Sequence, residues 1–189
     1  IIAGLLAPDE GKLLLNGEDI TAEPHSKRSM GIVLHNYALF ENMTVLENVM
    51  VGLANQIPCN VFESILRLPR HKRSEREARE RAMELLRVFK LDAYSDYLAA
   101  NLPYGKQRKL EIARALATNP KLLILDEPTR GIDVGAKAEI EALTQQLCGE
   151  GMAVIFISSE LEEVVRDCDR VIVLRDRKHL SQDGLIVVV

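Results

Sequence analysis

Short, continuously apolar runs alternate along this chain with longer stretches in which apolar residues return every three or four positions. That pattern predicts a sheet with helices packed on it. The clearest short run lies in Lys121-Leu122-Leu123-Ile124-Leu125-Asp126-Glu127-Pro128-Thr129. Residues 122–125 are too few and too uniformly apolar for an amphipathic helix, so they predict a strand buried on both faces. Residues 153–157 predict a second such strand and 171–174 a third. Residues 31–34 predict another short strand, with His35, Asn36 and Tyr37 at its C-terminal end. Between them, 108–117 has a helical apolar face of Leu110, Ile112, Ala113 and Leu116. Residues 134–148 predict a further helix, capped by Asp133 and ended by Gly149-Glu150-Gly151. Strand, helix, strand, helix, strand from 121 to 174 is the order of a parallel α/β sheet.

The first part of the chain reads differently. Residues 1–7 predict the last turns of a helix, ended by Pro8-Asp9-Glu10-Gly11. Asn16-Gly17 between short apolar runs predicts a hairpin over 13–20. Thr44-Val45-Leu46-Glu47 is a capping box that opens a helix to about Leu53. Ser74-Glu75-Arg76-Glu77 is a second one, opening a helix to about Phe89 with Ala78, Ala82, Leu85, Leu86 and Phe89 inward. The charge run at 70–81 reads as its wet face, while 56–69 favours no one structure. Ser159 and Glu162 form a third capping box ahead of a short helix. The block 41–119 is thus almost wholly helical, a lobe inserted into an α/β core made of 1–40 and 120–189.

Composition narrows the class. The 189 residues carry a net charge of −4 and are 47% hydrophobic, which suits a globular domain with no general drive toward nucleic acid or anionic lipid. No apolar run reaches membrane-spanning length. Cys59, Cys148 and Cys168 are far apart in sequence and read as structural thiols, not as a metal site. The first residue is not Met and no leader pattern precedes it, so the chain reads as cut at that end.

The chemistry concentrates at Asp126 and Glu127. Adjacent acids at the end of a buried strand are costly unless they face a cation, and open α/β sheets bind ligands at that strand end. A Mg-nucleotide site fits, with Asp126 on Mg²⁺ and Glu127 polarising a water. A buried strand followed by a solvated acidic turn is the plainer alternative. Shortly before it, Gly105 in Leu102-Pro103-Tyr104-Gly105-Lys106-Gln107 permits close backbone approach, and a helix follows whose free N–H groups suit a phosphate, although a Gly before a helix, taken alone, is usually only a tight turn.

These pieces together with Arg130-Gly131-Ile132-Asp133 and Ile157-Ser158-Ser159-Glu160 resemble, in order and spacing, the ATP-binding subunit of ABC transporters. The resemblance runs from residue 1 to about 174. It implies a P-loop NTPase (RecA-like) α/β core with an inserted helical subdomain. It implies ATP and Mg²⁺ as ligands, a second nucleotide-binding subunit and transmembrane permease subunits as partners, and a peripheral place on the cytoplasmic face of the membrane. Asp126 resembles the Walker B metal ligand and Glu127 the catalytic glutamate. Residues 102–107 resemble the signature loop, in the Leu-Pro-Tyr-Gly form associated with branched-chain amino-acid importers. Leu102, Pro103, Tyr104, Gly105, Lys106 and Gln107 would then meet ATP held by the other subunit. Gly131-Ile132-Asp133 resembles the D-loop, with Asp133 at the dimer interface as well as at a helix cap. Residues 37–47 resemble the segment after the Q-loop, where Phe40 and Met43 are candidates for docking the membrane subunit or for core packing.

The sequence departs from that family at three places. No Gly-x-x-x-x-Gly-Lys-Ser/Thr occurs, so the 189 residues alone are expected not to turn over ATP, and one edge of the 153–157 strand is expected to be unpaired. His35 stands where the family has a glutamine, and Ser159 where it usually has a histidine. Both remain candidate catalytic positions beside Glu127. Residues 130–137 with 158–161 resemble sugar importers, so the two halves point to different solutes. A degenerate cassette that binds without hydrolysing, and a soluble ABC ATPase outside transport, are the rival readings.

Overall fold

The computed structural model describes residues 1–34, 39–54, 69–172, 174, 175, 178 and 179. His35 and the uncertain 56–68 segment lie outside the described residues. The chain opens not as a helix but as a series of turns, with Gly4 at φ 76°. The reason is Arg28. Its buried guanidinium donates to the carbonyls of Ile1 and Ile2 (2.9 and 2.7 Å), and of Thr21 (3.0 Å) and Glu23 (2.7 Å). Charge-assisted bonds of this kind outweigh the weak helical preference of seven residues.

The hairpin forms as expected. β1 (Leu14–Leu15) and β2 (Glu18–Asp19) pair antiparallel, with Asn16 and Gly17 at φ 51° and 83°. Two consecutive positive φ values are the requirement of a type I′ turn, which Asn-Gly meets at least cost.

Three parallel strands make the sheet, in the order β3 (Met30–Val33), β4 (Leu122–Asp126), β5 (Ala153–Ile157). Alternate residues feed two cores. Val33, Leu123, Leu125, Val154 and Phe156 join the large cluster under the helices. Met30, Leu122, Ile124 and Ile155 face a smaller one closed by Ile20, with Ile2, Leu13 and Leu15 against it. The central strand β4 is therefore covered on both faces, as its unbroken apolar run predicts. Among the described residues β5 pairs only with β4, and its ends Ala153 and Ile157 are exposed.

Between β3 and β4 run α1 (Val45–Leu53), α2 (Pro69–Val88) and α3 (Tyr104–Ala117). The Thr44 capping box forms in full: Glu47 N–H donates to Thr44 Oγ1 (3.2 Å), and Thr44 N–H to Glu47 Oε2 (2.8 Å). The box expected at Ser74 does not mark a helix start. The described part of α2 runs from Pro69, and Ser74 lies inside it. At Gly52 the backbones of α1 and α3 cross so closely that a Cβ would run into the Arg114 carbonyl and the Ala117 methyl. One apolar cluster continues from these helices into the sheet, through Val45, Val49, Leu86, Leu110 and Leu123.

After β4 come α4 (Val134–Gly149), capped by Asp133, then β5 and α5 (Leu161–Asp167). Of the strand expected at 171–174, Val173 lies outside the described residues, and none of the described ones pairs with the parallel sheet. Val171 and Ile172 are not in strand, and β6 (Leu174–Arg175) pairs antiparallel with β7 (Lys178–His179). β3 takes the third place in the parallel sheet instead.

Candidate functional site

The strand β4 ends at Asp126, and the chain turns at Glu127, whose φ is 49°. A left-handed backbone is uncommon for a residue with a side chain and stores strain of order 1 kcal/mol or more. The segment after β5 holds it in place. Glu127 N–H donates to the Ile157 carbonyl at 2.8 Å, and Ser159 N–H donates to Glu127 Oε1 at 3.0 Å. Asp126 and Glu127 are both half-buried. Among the described residues, neither carboxylate lies within ion-pair distance of a cation. Nor do three or more His, Cys, Asp or Glu side chains gather into a metal cage there. Two adjacent acids without a third ligand suit a hard cation that brings its own oxygens, as Mg²⁺ does with phosphates and water.

Ser159 does not cap α5. Ser158 Oγ accepts the Glu160 N–H at 3.0 Å, and Glu160, at the N-cap position, makes no side-chain cap bond. The Ser159 backbone is committed to Glu127, which turns its neighbour's hydroxyl toward the helix start. Around Ser158 lies a polar cluster that no sequence pattern marks: Thr129, Glu163 and Lys137. Thr129 and Glu163 are 3% and 1% exposed.

The 102–107 stretch is not a loop ahead of a helix at 108. α3 begins at Tyr104, with Pro103 as its N-cap at φ −55° and ψ 146°, so Gly105, Lys106 and Gln107 form its first turn. The proline ring fixes the extended entry, and Lys and Gln are good helix formers. Lys106 and Gln107 N–H both bond to the Pro103 carbonyl (2.9 and 3.0 Å), which leaves the Tyr104 and Gly105 N–H groups as open donors among the described residues. The side chains turn inward. Lys106 Nζ donates to Tyr94 OH at 2.9 Å and lies 4.3 Å over that ring, so its charge is already used within the chain. Gln107 Nε2 donates to the Leu102 carbonyl at 2.9 Å, and Leu102 itself is buried. Arg108, 1% exposed, stacks 4.9 Å over Tyr104, donates to its hydroxyl at 2.5 Å and pairs with Glu111 at 2.7 Å.

The 102–107 and 131–136 stretches meet. A Cβ on Gly105 would lie 2.6 Å from the Ala136 methyl, too close without a shift of α3 or α4. One on Gly131, itself at φ 77°, would touch the Tyr104 ring at 3.6 Å. Asp133 caps α4 as expected, its Oδ2 accepting the Ala136 N–H at 3.1 Å. Further along, Lys109 Nζ pairs with Glu139 Oε2 at 2.7 Å and ties α3 to α4. The hydrogen bond from Lys109, with the charges of Lys109, Lys90 and Lys106, holds the Glu139 carboxyl below its usual range. A lowered carboxylate stabilises the fold at neutral pH, and that gain is lost as acid protonates it. Wild type is therefore expected to exceed Glu139→Gln in denaturant stability at pH 7 by under about 1 kcal/mol, because the side chain is half in water. The gap should close as the pH falls below about 4. Urea titrations at the two pH values check this, and a gap that grows in acid would contradict it.

Asn48 is the residue that sequence reading passes over. It is fully buried on α1, accepts the Phe40 N–H at 2.9 Å and donates to the Phe40 and Thr44 carbonyls, each at 3.0 Å. Phe40 and Met43 beside it are 46% and 37% exposed and belong to neither core cluster among the described residues. Arg114 lies 5.1 Å over the Phe40 ring.

Comparison with known proteins gives the family and the fold. Residues 1–130 match the family model of the ABC transporter. The spermidine/putrescine import ATP-binding protein PotA of Pasteurella multocida is 36% identical over 188 residues, 97% of this chain and 46% of that protein. The fructose import ATP-binding protein FruK of Bifidobacterium longum is 38% identical over 188 residues, 96% of this chain and 35% of that protein. The chain thus spans about half, or less, of the length of these curated relatives. A nucleotide-free ATP-binding cassette from an ABC transporter superposes with a TM-score of 0.81 at 27% identity, covering 97% of this chain and 73% of that one. A dimeric cassette in a post-hydrolysis state, bound to ADP and Pi, superposes at 0.78 and 25% identity, covering 97% and 77%. With its carboxylate pair at the end of a central parallel strand, the chain belongs to the ABC transporter family, among its ATP-binding domains.

Proposed function

We propose that the chain serves in the ATP-binding subunit of an ABC importer, where binding and hydrolysis of MgATP drive solute uptake through membrane-embedded permease subunits. One observation carries this: Glu127, in a strained backbone beside Asp126, has Oε1 fixed by the Ser159 N–H and Oε2 without a protein donor among the described residues. A carboxylate so held is suited to take a proton from an attacking water at Oε2. Asp126 would hold Mg²⁺, which when bound supplies positive charge to the phosphate oxygens. The open N–H groups of Tyr104 and Gly105, at the positive end of α3, would face the phosphates of nucleotide on a second subunit. Asp133 and Gly131, packed beside that turn, would lie at the same interface. Lys106 and Gln107 act there through the helix they begin, their side chains being bound internally. His35 would take the place of the glutamine that, by the family resemblance, reaches Mg²⁺ and the attacking water. Residues 41–119 form the lobe that passes the motion to the permease at the cytoplasmic face, with Phe40 and Met43 at the contact. A sugar is the favoured solute over an amino acid, since a fructose import protein is among the relatives.

A second reading, a cassette that binds nucleotide without hydrolysing it, is favoured by His35 and Ser159, whose side chains stand where the family has a glutamine and usually a histidine. The experiment is sedimentation of the full-length protein. MgATP is expected to shift it from monomer to dimer, and Asp126→Asn should remove the Mg²⁺-dependent part of that shift. Failure of the full-length protein to bind MgATP sinks both readings; binding without phosphate release selects the second.

A further inference from the structure

Glu163 grips the chain on both sides of Glu127. Its Oε2 accepts from Thr129 Oγ1 at 2.9 Å and from Ser158 Oγ at 2.8 Å. Thr129 lies two residues after Glu127, and Ser158 immediately precedes the residue whose N–H holds the Glu127 carboxylate. The other oxygen pairs with Lys137 Nζ, which also donates to Glu160 Oε2 at 2.6 Å. Lys137 stands in the first turns of α4, and its own N–H bonds to the carbonyl of the cap residue Asp133 at 2.9 Å. A carboxylate buried to this depth is costly unless every donor around it is in place. Its position is therefore set jointly by α4, by the chain leaving β4 and by the chain leaving β5.

We propose that Glu163 is the positioning residue of Glu127: it locks Ser158 and Thr129 so that the Ser159 N–H meets Glu127 Oε1, and through Lys137 it ties that alignment to the start of α4. The inference rests on Glu127 being the proton acceptor. It goes further by naming what fixes that group, and by making its alignment sensitive to the helix that follows the Gly131-Ile132-Asp133 turn.

The test is amide hydrogen exchange at Ser159 in the full-length protein, with phosphate release measured on the same samples. Glu163→Gln, Thr129→Val and Ser158→Ala are each expected to speed Ser159 exchange roughly 5- to 10-fold, the equivalent of one lost hydrogen bond. Thr129→Ser and Ser158→Thr, which keep the hydroxyl, should stay within about twofold of wild type, as should the Ile124 and Ile155 amides of the sheet in all variants. The three disruptive variants should lower kcat roughly 10- to 100-fold at an unchanged KM for MgATP, as loss of an outer supporting group does. Unchanged Ser159 exchange in all three overturns the proposal, and so does an equal rise at Ile124 and Ile155, which would mean general loosening. If Glu163→Gln fails to fold, the Thr129 and Ser158 pairs decide. A wild type that releases no phosphate overturns the reading of Glu127, while the exchange rates still decide whether Glu163 aligns it.

Discussion

Glu127→Gln in the full-length protein is expected to lower phosphate release at saturating MgATP by roughly 10²- to 10⁴-fold, the range a positioned general base contributes. The substitution is close to isosteric. A glutamine carbonyl can accept the Ser159 N–H, as Glu127 Oε1 does at 3.0 Å, so the turn after β4 should survive. What is lost is an oxygen able to take a proton. One negative charge beside Asp126 is also removed, so nucleotide binding should hold while turnover stops. Phosphate release together with equilibrium nucleotide binding measures both halves. A variant that keeps more than about a tenth of the wild-type rate would show that Glu127 is not the base.

Asn48→Leu is expected to cost about 3 kcal/mol in unfolding free energy, the largest effect foreseen for a residue away from the carboxylates. Leucine fits the space, but the Phe40 N–H then loses its acceptor, and the Phe40 and Thr44 carbonyls keep only their backbone donors, the N–H groups of Met43 and of residue 48. Asn48 is fully buried, so water cannot replace the amide without the loop moving. The Phe40 contact with Arg114 should go with it. Chemical denaturation reads the cost, and uptake assays with the assembled transporter should show weakened coupling. A variant as stable as wild type would mean that the loop at 40–44 satisfies its own backbone.

Much of the fold could be read from local chemistry. The Asn16-Gly17 turn, the Thr44 box, the Asp133 cap and the strands at 122–126 and 153–157 each rest on a few neighbouring residues whose preferences agree. The misreadings share a different cause. Residues 1–7 have a short-range pattern that a distant partner, Arg28, overrides, and in the 171–174 run Leu174 pairs locally with His179 instead of with the parallel sheet. Ser159 and Ser74 carry correct capping chemistry at places where no helix starts, Ser74 lying inside α2 and Glu160 standing at the N-cap of α5. Of the site, Asp126, Glu127 and the Gly105 turn were legible because spacing marks them. The support behind them was not. Glu163 is one of three acids among residues 160–163, and its depth follows only from how α5 sits on the sheet. Asn48 left a faint trace, a lone amide on the stripe of Val45, Leu46 and Val49.

The parallel sheet has a consequence for how the chain is made. β4 and β5 are joined through α4 alone, so they can pair soon after both have left the ribosome. β3 is synthesised long before its partner. The partner that Met30 to Val33 has among the described residues, Leu122 to Leu125, emerges only after α1, α2 and α3. Over that interval a short apolar strand with open backbone groups depends on whatever shelters nascent chains, and pairing it closes the longest loop in the sheet. The strand that leads toward His35 thus waits longest between its synthesis and its pairing, and the fidelity of assembly hangs on its delayed return to β4.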